Sequence, residues 1–330
     1  LTIGGICCII DEDFQTFEEI KMKRILPVFL VISVLLFSGC SSKKEKPNVA
    51  PPFFKVTDSE TGGVAYMLGT IHVGKDATIY PEEIYAALDE SGVLAVELDL
   101  QRLDENPDEI SEAMKLFEYA EGGARDCMGE DYDMIREALE IQFAYSENLE
   151  TYMPYVWTSM YLGQVTSECR LNAGFGTDRA MLAYAKKHSK EIYEIETIME
   201  QYTVNANTPI ELQLFMLKDA VSDYKRQVEE LNALYDTWKY GDFEGIEKLV
   251  DDGEIPDELK DDYKKYYDEM YTFRQEKMAD YVIDALKNGE KVFVAVGALH
   301  YFAAPDIIDC LEQAGYAVER IGGPLENTDK

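Results

Sequence analysis

The sequence predicts an α/β protein: a central mixed sheet assembled from two βαβ-like units that each carry a Gly-x-x-His turn, with a large helical insertion that includes a long helical hairpin. Three observations carry that expectation. An apolar run closed by glycine, "VAYMLGTIHVG" (64–74), is followed by a helix-like stretch and a second apolar run within the length of one βαβ unit. The same order returns in "KVFVAVGALH", "APDIIDCLEQA" and "YAVERI" (291–321). Between the two, helical spacing dominates, with one strand-like exception.

Taken in chain order, residues 1–21 precede Met22, are acidic, and are read as lying upstream of the natural start. From Met22 the chain reads as a signal segment, 22–39: Lys23 and Arg24, then an apolar stretch too short to span comfortably as a mature helix, ending in Ser38-Gly39-Cys40. This resembles a bacterial lipoprotein signal, cut before Cys40 and leaving that thiol lipidated. A plain anchor helix is the simpler alternative, but the polar "SSKKEKPN" after Cys40 favours the lipoprotein. Residues 40–61 are then the lipidated cysteine and a tether, 62–323 the folded domain and 324–330 a tail.

Within the domain, 64–71 reads as a buried strand. Residues 79–91 form a helix with Pro81 in its first turn, Glu82 and Glu83 at its positive end, and Gly92 as its stop. Residues 93–100 are a second strand. Helices are expected over 108–121, 131–150, 155–171 and 177–188, and a strand over 191–197. Two long charged helices, 209–240 and 257–288, joined by "GDFEGIEKLVDDGEIP", are expected as an antiparallel hairpin. The second unit then supplies a strand over 291–300, a helix over 304–314 and a strand over 316–321.

The formal charge is −33, and the removal of residues 1–39 takes away only five acids and three bases, so the acidity belongs to the domain. Nucleic acid is excluded as a partner, because no basic patch offsets the repulsion. A basic peptide would be attracted. After Cys40 only Cys127, Cys169 and Cys310 remain, without CxxC, which fits neither a zinc ribbon nor a disulfide framework. No HExxH, P-loop or GxSxG is present.

The chain has three histidines, and two of them, His72 and His300, sit in the same Gly-x-x-His context at the end of an apolar run. Imidazoles at the carboxyl ends of neighbouring strands point into the crevice where α/β sheets bind ligands. Together they suit a divalent metal: manganese, cobalt or zinc. Glu97, set among leucines and valines, needs a partner, because an unpaired buried charge is costly. That partner is a metal, an arginine such as Arg274 or Arg179, or a retained proton. Taken singly, a histidine beside a strand is usually structural; the repeated context argues otherwise. His188, at a helix C-terminus, reads as a solvated cap.

With those residues in hand, the chain resembles the TraB/GumN family, which includes the animal Tiki proteins, over about residues 62–323. The first motif is "YMLGTIHVG" followed by "YP" and "VELD"; the middle one is Gly176-Thr177-Asp178 with "EIETIMEQ". Arg274 in "FRQEKMA" stands before the last, "FVAVGALHYFAAPDIIDCLEQAGYAVERI". Thr177 is an extra residue between the usual glycine and aspartate; Gln275, Tyr301 and Phe302 depart from the family pattern and bear on substrate preference. The resemblance implies a metal-dependent hydrolase, Tiki-like in being a metalloprotease, with His72, His300 and Glu97 at the metal and Glu97 as ligand or general base. Asp178 is a further candidate ligand, and Arg274 a candidate for stabilising developing negative charge. The expected setting is the extracellular face of the cell membrane, lipid-anchored at Cys40, acting on a peptide or protein. The alternative is a lipid-tethered, non-catalytic protein that captures a peptide or pheromone.

Overall fold

The apolar runs form one mixed sheet. Its strands are β1 (Phe53–Thr57), β2 (Val64–Thr70), β3 (Val93–Val96), β4 (Glu191–Glu194), β5 (Lys291–Gly297) and β6 (Val318–Arg320), in the spatial order β4-β3-β5-β2-β1-β6. The structure, a computed structural model, describes residues 46–249 and 255–325. The signal segment, Cys40, the residues before Met22 and the tail from 326 lie outside the described residues.

The four strands β4, β3, β5 and β2 are parallel; β1 runs antiparallel to both β2 and β6. The two βαβ-like units are interleaved. β5 lies between β2 and β3, and β2 and β1 lie between β5 and β6. Strands buried on both faces should read as unbroken apolar runs, and β2, β3 and β5 do: every residue in them is buried or half-buried except Lys291. On one face Leu68, Leu94 and Phe293 pack beneath Ile84 and Leu88 of the helix Glu82–Glu90 and Leu182 of the helix Thr177–Lys187. On the other, Met67, Val294 and Val296 pack beneath Met278 and Val282 of Phe273–Lys287 and Ile307 of Ile307–Gln313.

The sheet extends into the segment expected to be tether. Pro51 and Pro52 read as linker residues, but Phe53 and Phe54 bury on opposite faces, Phe53 against Tyr66 and Phe293, Phe54 against Phe243 and Tyr301. The strand expected over 93–100 stops at Val96, because Asp99 accepts the backbone N–H of Arg102 and opens the helix Leu100–Glu105. The helix expected over 131–150 ends at Ile141, and Phe143 turns out at a φ of 57°.

The two long helices are each interrupted. Residues 209–240 divide at Asp223, whose side chain accepts from Arg226 N at 3.0 Å and caps Tyr224–Tyr240. Residues 257–288 become Lys260–Tyr267, a π turn over Asp268–Thr272, and Phe273–Lys287. The arms of the hairpin meet through Leu212, Tyr266, Met270 and Tyr271. Much of their remaining buried surface goes elsewhere: Ile210–Ser222 and Tyr224–Tyr240 lie on Pro154–Glu168, and Phe273–Lys287 lies on the sheet. Among the described residues, no helix is long and apolar enough to cross a membrane.

Candidate active site

The register of the parallel strands builds the site. Thr70 pairs with Gly297 and Val96 with Ala295, so β2, β5 and β3 release their next residues at one edge of the sheet. His72 follows β2, Glu97 follows β3, Glu196 follows β4, and His300 lies in the 3₁₀ turn Ala298–Tyr301 after β5. The two glycines of the Gly-x-x-His turns act through close approach, since neither takes a left-handed backbone. A methyl at Gly69 would meet the Pro52 side chain at 2.9 Å. A methyl at Gly297 would lie 3.2 Å from Glu97 Oε1, 3.5 Å from His72 Nε2 and 3.8 Å from His300 Cδ2. His72, Glu97 and His300 therefore face one point.

Asp178, a candidate ligand, stands behind that point. One carboxylate oxygen accepts from Thr70 Oγ1 at 2.6 Å and the other faces His72 Nδ1 at 2.9 Å. Both oxygens are engaged, so Asp178 orients His72, leaving Nε2 turned inward. The loop before it is tightly docked: Thr177 N donates to Ile71 O at 2.8 Å, and a methyl at Gly176 would sit 2.6 Å from His72 O. Thr177, the residue in excess of the family pattern, is wholly buried and accepts from Tyr80 Oη.

Arg274 is the partner of Glu97; Arg179 pairs with Asp104 instead. Arg274 Nη2 donates to Glu97 Oε2 at 2.8 Å and to Glu196 Oε2 at 2.7 Å, Nε donates to Glu196 Oε1 at 2.7 Å, and Nη1 to Met270 O at 3.1 Å. A guanidinium so engaged holds carboxylates in place and has little left to offer developing charge. Gln201 Nε2 donates to both Glu97 Oε2 and Glu196 Oε2, and Gly297 N donates to Glu97 Oε1 at 2.6 Å. Glu196 and Gln201 were not singled out from the sequence. The signal was in "EIETIMEQ", but that segment holds three glutamates, and only β4 beside β3 shows that Glu196, with Gln201, faces Glu97.

Three carboxylates, Glu97, Asp178 and Glu196, share this cluster with one arginine. Burial works against a charge on His72, but Asp178 and then Glu97 more than offset it, and its pKa rises to about 9. Burial, helped by Arg274, holds His300 down at about 4. Burial also opposes the charge on Glu97, yet His300, Arg274, His72 and the Gly297 N–H bring it down to about 2. The buried His300 Nδ1 has no hydrogen-bond partner among the described residues.

Two imidazoles and one carboxylate around a point, with a carboxylate behind one imidazole, are a donor set that fits a divalent cation. The cluster is not closed as it stands: His300 Nε2 lies 3.9 Å from Glu97 Oε1, and among the described residues no group of three or more His, Cys, Asp or Glu is already arranged to hold an ion.

The other departures from the family pattern lie off the cleft. Gln275 is buried and donates to Ala303 O at 3.0 Å, Tyr301 packs on Phe54, and Phe302 on Phe243. No curated protein and no solved structure matches the chain. The model of the TraB/PrgY/gumN family matches residues 52–320, opening one residue before β1 and closing on the last residue of β6. A match over most of the chain, enclosing the whole sheet and every residue of the cluster, places this protein in the TraB/PrgY/gumN family.

Proposed function

We propose that the protein is a metal-dependent hydrolase of peptide bonds. The observation that carries the reading is the convergence of His72 Nε2, Glu97 Oε1 and His300 around Gly297. In this reading the two histidines and Glu97 hold the ion. Bound there, manganese, cobalt or zinc would polarise a scissile carbonyl and acidify a water. Asp178 keeps one proton of His72 on Nδ1, so Nε2 is the coordinating nitrogen, and an ion would displace the proton that the raised pKa keeps there. Arg274 and Gln201 hold Glu97 by Oε2. With Oε2 held by Arg274 and Gln201 and its pKa lowered by His300, Arg274 and His72, Glu97 serves better as ligand than as base.

Metal content decides the matter first. Purified protein incubated with manganese, cobalt or zinc should retain about one ion per chain, and the His72→Ala/His300→Ala double variant none; equal, negligible uptake by both sinks the proposal. Peptide mixtures should then yield new termini, detected by mass spectrometry, that disappear on chelation. A second reading, non-catalytic capture of a peptide, is favoured by Glu97 being already engaged by three donors. Binding that survives chelation and leaves peptides whole would select it. The proposed setting is outside the membrane, tethered through Cys40.

A further inference from the structure

The cluster forms one end of an open pocket of about 770 Å³, a volume that includes its mouth. Ligand sites commonly set a few polar groups in apolar walls. The polar groups here are the cluster, with Thr70, Thr166 and Tyr271 beside it. Opposite them the wall is built from the helical insertion: Leu231, Leu234 and Trp238 of Tyr224–Tyr240, and Ile246 of the helix Phe243–Leu249. Trp238 is fixed there, since its Nε1 donates to Gly69 O at 2.9 Å. The ring therefore offers the pocket carbon surface and no free donor.

The wall has no charge to offer a charged substrate group. Glu97 is the only carboxylate lining the pocket among the described residues, and its oxygens already accept from Arg274, Gln201 and the Gly297 N–H. A lysine or arginine side chain entering here would lose its hydration without gaining an unengaged counter-ion. An aliphatic or aromatic side chain would lose only unfavourable contact with water. The strongly acidic surface and the pocket thus favour opposite chemistries, and contact at the pocket decides what lies against the cluster.

We propose that the site takes peptides presenting a bulky apolar side chain, leucine- or phenylalanine-like, beside the bond held at the cluster, and that Leu231, Leu234, Trp238 and Ile246 select it. This rests on the hydrolase reading for the bond but not for the binding. The test uses fluorescein-labelled peptides that differ at one position, carrying Leu, Phe, Lys, Asp or Gly. Binding is read by anisotropy on manganese-loaded and on chelator-treated protein, and products by mass spectrometry. The Leu and Phe peptides should bind at least about tenfold more tightly than the other three in both states. Leu234, half-buried at the wall, can be changed without opening the core. Leu234→Asp should remove the preference while Leu234→Met keeps it, both with unchanged thermal unfolding. Equal binding of the Lys or Asp peptide, no binding of any peptide, or a preference unmoved by Leu234→Asp overturns the proposal. Selective binding without cleavage supports the apolar subsite and sinks the hydrolase; cleavage without selectivity does the reverse.

Discussion

At the scale of single residues, the site is defined as much by what Gly297 lacks as by what its neighbours carry. A methyl there would stand among Glu97, His72 and His300. Gly297→Ala should therefore cost little stability, under about 1 kcal/mol, yet lower manganese affinity at least about tenfold by calorimetry; unchanged affinity would show that the three side chains do not share a ligand. The histidines can be followed directly by NMR. In chelator-treated protein His72 should titrate near 9 and His300 near 4. A folded-state pKa raised above 6.5 means that the His72–Asp178 pair contributes its full stability below that value and loses it as pH rises through about 9. Asp178→Asn should bring the His72 midpoint down by more than one unit; a midpoint that stays put would detach the two residues. Arg274→Met would leave Glu97 and Glu196 buried without their cation, at a cost of about 3–5 kcal/mol in chemical denaturation at pH 7. His72, His300 and Glu97 were legible because each ends or follows an apolar run, where a polar residue stands out. The inward partners Glu196 and Gln201 were not, because which strands are neighbours is a tertiary fact.

Among the elements, the helix Ile198–Ala206 carries Gln201 and opens on a capping box in which Thr197 accepts from Glu200 N and Glu200 accepts from Thr197 N. Thr197→Ala should cost about 1 kcal/mol of unfolding free energy. A loss below about 0.3 kcal/mol would mean that tertiary packing alone holds this helix. The inner strands could be read from sequence because burial on both faces leaves long apolar runs. β1 could not, since Pro51 and Pro52 before it make a short strand look like linker. The breaks in the long helices were equally hidden. At the π turn over Asp268–Thr272 the residues keep helix-compatible composition, and what changes is the hydrogen-bonding pattern, which places Met270 and Tyr271 at the pocket.

For the molecule as a whole, the proposed lipid attachment supplies a clean test. Cys40→Ser should abolish lipid modification, with precursor retained or protein released to the medium; unchanged mass and membrane fraction would make the apolar segment an uncleaved anchor. A diacylglyceryl group would suffice for stable anchoring where a single chain would not.

The interleaving of the two units has a consequence for how the protein comes into being. β5 fills the slot between β2 and β3, yet it is synthesised after both, with the entire helical insertion in between. Until residues 291–297 arrive, β2 and β3 have no common neighbour, and His72 and Glu97 have no shared destination. The candidate site therefore stays incomplete for most of the chain's synthesis and comes together only on late, long-range closure, which is slow by nature. Chains stopped at residue 290 should lack both metal uptake and hydrogen-exchange protection of β2, whereas adding the missing segment as a separate peptide, 291–325, should restore the two together. Protection without it would mean that the sheet forms early and that β5 only completes it.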